Sequence, residues 1–112
     1  MSLAKDIKDM NVDSARYQDH IKAIALEIAE TLIKKDAEYG GSWLKRGGVG
    51  AYMMKVRKSD RLETQVASRS YDIFQAMKET GSSSENLRDT LLDDAGYAIL
   101  ILAEARARGI TK

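Results

Sequence analysis

From Ile21 onward the apolar residues return every three or four positions, with Ile21, Ile24, Ala25, Ile28 and Leu32 marking one face. That is the period of an α-helix with a single buried stripe. Leu26 and Ile33 stand off the stripe and widen it, which predicts a helix covered on more than one side. A second segment carries Tyr52, Val56, Ser59, Leu62, Val66, Ile73 and Met77 at similar intervals. It weakens around Ser68 to Ser70, where the spacing predicts a break. The third segment opens on Ser82-Ser83-Ser84-Glu85. Ser82 as N-cap, with Glu85 three positions on, predicts a capping box. A helix from Leu87 to about Arg108 follows, with Leu87, Leu91, Ala95, Ala98 and Leu102 on one side.

Punctuation agrees with this division. Proline is absent, and glycines cluster at Gly40, Gly41, Gly47, Gly48 and Gly50, with Gly81 a second break point. No alternating β-branched run competes with helix. The 112 residues therefore predict one all-α domain, a bundle of three to four helices. The fourth helix comes from a split second segment or from residues 5–17.

Composition narrows the chemistry. Eighteen basic residues against seventeen acidic give a net charge of +1, so general nucleic-acid binding is not expected and any anion site must be local. The absence of cysteine and the single His20 exclude thiolate catalysis, disulfides and a cysteine or histidine metal cluster. No apolar run approaches the roughly 18 residues of a membrane span, and the start lacks a signal-peptide core. A cytoplasmic protein without membrane association is the expectation. The apolar excess of the first helix, together with methionines near the N-terminus and in the second segment, predicts a homodimer.

Three charged clusters are candidates for function. If the first helix reaches Tyr39, then Lys35, Glu38 and Tyr39 share one side, and Gly40 and Gly41 end the helix just before Trp43. The bland reading makes Lys34 and Lys35 cations at a helix C-terminus, with Tyr39 and Trp43 packing the bundle end. Lys45 and Arg46 lie between glycine pairs, which suits either a phosphate cradle or a plain connection between helices. Arg57, Asp60, Arg61 and Thr64 lie on one side of the second helix, ordinarily the mark of a solvated ladder of charges. On the third, Glu85, Asp89, Asp93 and Tyr97 follow at intervals of four. Repulsion along such a line must be offset by cations or a metal. Oxygen-only acidic clusters are what magnesium uses. The helix dipole accounts for Glu85 and Asp89 near the helix start, but Asp93 and Asp94 lie too deep for it.

In order and spacing these clusters resemble the nucleotide modification associated family of small, mostly phage-borne proteins. A Lys-x-x-Asp-Tyr-Gly pattern is matched by Lys35, Tyr39 and Gly40, with Glu38 for the aspartate. An Arg-x-x-Asp-Lys pattern is met by Arg57 and Asp60, with Arg61 for the lysine. The block resembling Glu-Asp-Thr-Leu-Leu-Asp-Leu-Ala-x-Tyr-Ala is matched by Asp89 to Asp93, Ala95, Tyr97 and Ala98, with Asp94 replacing a leucine. More distantly the chain is similar to the all-α MazG-type nucleoside-triphosphate pyrophosphatases, which hold magnesium between acidic pairs on two helices. Here Glu27 with Glu30, or Asp60 with Glu63, stands for the first pair, and Asp89 with Asp93, spaced at four, for the second.

The resemblance implies a magnesium-dependent (deoxy)nucleotide pyrophosphohydrolase or a related protein of nucleotide metabolism. Asp60, Asp89 and Asp93 would hold the metal and carry catalysis, and Lys35, Arg57 and Arg61 would neutralise phosphate charge. Tyr39, Trp43 or Tyr97 would border the base. The alternative is a non-catalytic nucleotide-binding or protein-interaction module, in which the same charges form an ion network that fixes helix register.

Overall fold

The computed structural model describes residues 3–112, with side chains from residue 16 onward. Its elements are α1 (Leu3–Tyr39), a short 3-10 turn (Ser42–Leu44), α2 (Gly47–Ala67), α3 (Ile73–Thr80) and α4 (Leu87–Ala107). The architecture is an all-α bundle. Residues 5–17 continue α1 rather than forming a helix of their own, so the fourth helix is the split-off end of the second segment.

Each boundary has a local cause. Gly40 and Gly41 take positive φ angles of 59° and 72°, and the Gly40 N–H closes the last turn of α1 on the Asp36 carbonyl at 2.8 Å. A residue with a Cβ reaches those angles only at a cost. After α2, Ser70 and Tyr71 are both left-handed, and the Tyr71 N–H returns to the Val66 carbonyl at 2.8 Å. Asp72 then caps α3 by accepting from the Phe74 and Gln75 N–H groups.

The start of α4 differs from the sequence expectation. Its N-cap is Asn86, whose side chain accepts from the Asp89 N–H at 2.8 Å and donates to the Asp89 carboxylate at 3.0 Å. Ser82 lies in the preceding turn, and Glu85 pairs instead with Arg61 at 3.1 Å. The capping chemistry is present four residues later than the serines suggest. The Leu87 N–H donates to Thr80 Oγ1, tying the end of α3 to α4.

α4 is the hub, packed on α2, α1 and α3. Lys55 pairs with Asp94 near the middle of α4 and Arg61 with Glu85 just before it, so α2 and α4 run antiparallel. Glu27 pairs with Arg88 and Lys35 with Asp93, so α1 and α4 run parallel. Gly96 permits the close approach of these two helices: a Cβ there would sit 3.3 Å from Leu32 Cδ2. Among the described residues, Ile28, Ala51, Ala76 and Leu87 are the buried hydrophobic side chains, and Thr90 is buried as well.

One face is not covered as the pattern predicts. Ile21, Ile24 and Leu26 are exposed because α4 begins level with Glu27, while Ile33, though alongside α4, is exposed because its neighbour Leu32 is the residue turned toward Gly96. Among the described residues no helix is long and apolar enough to cross a membrane.

Candidate functional site

Parallel packing of α1 and α4, with the 3-10 turn across one end, leaves an open cleft of about 570 Å³ between them. Its depth follows from sequence: Gly96 on its floor carries no side chain, and Ile28, Leu32 and Leu92 supply an apolar base. The rim is polar. Glu27, Lys35 and Asp36 come from α1, Arg88, Asp89 and Asp93 from α4, and Lys58 reaches in from α2. Tyr39, Trp43 and Tyr97 border the end where α1 runs into the turn.

Charges in the cleft are paired across helices. Asp93 receives Lys58 Nζ at 3.2 Å and Lys35 Nζ at 4.0 Å, so one carboxylate joins all three long helices. Lys58 is the less exposed partner, at 23%. Arg88 Nη2 donates to Glu27 at 2.6 Å. That hydrogen bond, and then the attraction of the carboxylate, holds the guanidinium pKa above its ordinary value. Just outside the cleft, Asp94 accepts from Lys55 at 2.8 Å and from Ser59 Oγ at 3.3 Å.

Of the residues singled out in the sequence, Lys35, Tyr39, Trp43, Asp89, Asp93 and Tyr97 line this cleft together. Asp60, Arg57 and Arg61 do not. The reason is helical register. Lys55, Lys58 and Ser59 are the residues of α2 that bond to α4. Asp60, two positions beyond Lys58, is rotated by about 200° from it. Arg57, Asp60 and Thr64 therefore form the solvated side of α2, while Arg61 reaches Glu85. Asp60 is not brought to Asp89 and Asp93, and among the described residues no three acidic or histidine side chains gather as a metal-holding group. Of the two acidic pairs considered for the first shelf, Glu27 lines the cleft, whereas Glu30, Asp60 and Glu63 are exposed elsewhere.

Lys58, Arg88 and Asp36 are cleft residues that the sequence reading passed over. A signal existed for the first: Lys55, Lys58 and Ser59 recur at helical spacing and match the adjacent Asp93 and Asp94 of the following helix. Arg88 and Asp36 carry no such signal, being ordinary helix-surface charges until α1 and α4 meet. Comparison of the chain with protein-family models, with curated proteins and with solved structures found no match.

Proposed function

We propose that the cleft between α1 and α4 binds a (deoxy)nucleotide, and that the protein acts on its phosphates as a magnesium-dependent pyrophosphohydrolase in the cytoplasm. One observation carries the reading: a cleft of about 570 Å³ bordered by three aromatic rings at one end and by Lys35, Lys58 and Arg88 along its length. That volume is within the usual range for small-molecule sites. Flat rings offer a surface for a base, and the cations offer charge-assisted hydrogen bonds to phosphate oxygens.

A three-carboxylate cage including Asp60 does not suit these residues. Magnesium, however, commonly takes only one or two protein carboxylates and completes its octahedron with water and substrate phosphates. Asp89 and Asp93, one turn apart on the cleft wall, fit that lesser requirement. They would hold the ion, which when bound supplies charge neutralisation at the phosphates and lowers the pKa of a bound water. Lys35, Lys58 and Arg88 would position the phosphate chain, and Tyr39, Trp43 and Tyr97 the base. Self-association as a homodimer belongs to the same proposal.

A second reading is favoured by a specific observation. Asp93 and Asp94 are both compensated by lysines of neighbouring helices. Such pairs can serve to fix helix register in a non-catalytic binding module. Two measurements separate the readings. Trp43 is the sole tryptophan and borders the cleft, so its fluorescence reports occupancy directly. A panel of (deoxy)nucleoside triphosphates with magnesium should quench Trp43 and release pyrophosphate and monophosphate. Quenching without product would favour the binding module, and neither response would remove the nucleotide site.

A further inference from the structure

We propose that Asp36 makes the cleft selective for guanine, by accepting from the two adjacent donors that guanine alone carries on its Watson–Crick edge. This inference rests on the nucleotide reading of the cleft and adds to it the class of base.

The position of Asp36 follows from helical spacing. Leu32, Asp36 and Tyr39 are four and three residues apart, so they share one side of α1. Leu32 lies against Gly96 of α4, and Asp36 and Tyr39 continue that side into the cleft. Glu27 with Arg88 sets the register of the two parallel helices. Equally far beyond that pair stand Asp36 on α1 and Tyr97 on α4. Asp36 is therefore at the aromatic end of the cleft. Along α4, Arg88 and Tyr97 are about 14 Å apart at the helical rise, which leaves room for phosphates at one end and a base at the other.

Asp36 differs from the other carboxylates of the cleft. Glu27 is held by Arg88, Asp93 by Lys58 and Lys35, and Asp89 by the Asn86 side chain. Among the described residues, the Asp36 carboxylate has no such partner. Nor does its place suit the helix. It stands in the last turn of α1, where the helix dipole disfavours an anion and no basic residue of the turn offsets it. A carboxylate so placed lowers the stability of α1 and is open to a donor from a ligand.

The donor pattern selects the base. A carboxylate only accepts, and its two oxygens suit two parallel N–H groups. Guanine offers N1–H and the 2-amino group side by side. Adenine and cytosine set one amino donor beside a ring-nitrogen acceptor, whose lone pair would face a carboxylate oxygen. Thymine sets a single N–H between two carbonyls. Stacking on aromatic rings, with hydrogen bonds to the Watson–Crick edge, is a general way of reading an unpaired base.

Trp43, the sole tryptophan, borders the same end and reports the outcome. Stopped-flow mixing with magnesium and dGTP, dITP, dATP, dCTP or dTTP reads the initial quench before turnover, and its concentration dependence gives each dissociation constant. That for dGTP should be at least about 10-fold below those for dATP, dCTP and dTTP, the discrimination a two-bond contact to a base supplies. For dITP, which lacks the 2-amino group, it should fall between. Asp36→Asn should bring dGTP to the level of the other bases, while its melting temperature stays at or above that of the wild type. The dITP comparison uses the unaltered chain and holds whatever the fold of the variant. Equal constants for all bases would overturn the inference and leave the nucleotide site standing, as would dITP binding as tightly as dGTP or a dGTP preference that survives Asp36→Asn. No quenching by any of the five would remove the nucleotide reading, and the guanine inference with it.

Discussion

Lys58 of α2 holds Asp93 of α4 at 3.2 Å, with Lys35 of α1 on the same carboxylate at 4.0 Å. Asp93 is thus the point at which the three long helices are tied together, and it is also a wall of the cleft. Neutralising it tests both roles. Had Asp93 stood among uncompensated carboxylates, Asp93→Asn would relieve repulsion and raise stability. Placed between two lysines, it should instead lower stability by about 1 kcal/mol in metal-free buffer, since the pair is only half-buried. Thermal melts of wild type and variant, each with and without magnesium, check this. A magnesium-dependent rise in the wild type that the variant lacks would support Asp93 as a metal ligand, and a fall without magnesium dependence would support the register-fixing reading.

The Asn86 cap predicts a contrast with the serines before it. Asn86→Ala removes the acceptor for the Asp89 N–H and the hydrogen bond to the Asp89 carboxylate. It should cost about 1 kcal/mol, as the loss of an N-cap usually does. Ser82→Ala, in the exposed turn, should stay within about 0.5 kcal/mol of wild type. Urea unfolding of the two variants distinguishes them, and equal losses would contradict the cap at Asn86.

At Gly96, α4 lies against Leu32 of α1. In Gly96→Ala the new methyl meets Leu32 Cδ2 at 3.3 Å. Leu32 is only half-buried, so its methyl can give way. The helix propensity gained over glycine should roughly offset the crowding, leaving a net change within about 0.5 kcal/mol. Gly96→Leu cannot be absorbed in this way and should cost about 1–3 kcal/mol. It should also prise open the cleft floor, seen as a shift in Trp43 emission.

A pH response is expected where α2 meets α3. Glu79 accepts from Gln75 at 3.0 Å and from Arg69 at 2.5 Å, and these bonds, Gln75's first, hold its carboxyl pKa below the ordinary value of 4.5. A carboxylate whose folded pKa is depressed contributes stability above its unfolded pKa and loses it as pH falls through the folded value. The tie between Arg69 and α3 should therefore hold at neutral pH and weaken below pH 4.5. Glu79→Gln should be less stable than wild type at neutral pH and converge with it in acid. A gap between the two that is independent of pH would argue against the ion pair.

The helices themselves were legible in the chain. Periods of three and four, the glycines after Tyr39 and the weak stretch at Ser68 to Ser70 are local signals, because helix formation, termination and capping depend on residues within a turn or two. For the same reason Lys35, Tyr39, Trp43, Asp89, Asp93 and Tyr97 could be singled out before their arrangement was known. Local periodicity says which residues of one helix share a face, but not which face meets which neighbour. The rotation of α2 that turns Lys58 toward Asp93 and leaves Asp60 in solvent is set by packing between helices. So is the height at which α4 begins, level with Glu27, which leaves Tyr17, Ile21 and Ile24 bare. Both are decided by contacts between residues far apart in the chain: Lys58 with Asp93 turns α2, and Gly96 of α4 lies against Leu32 of α1.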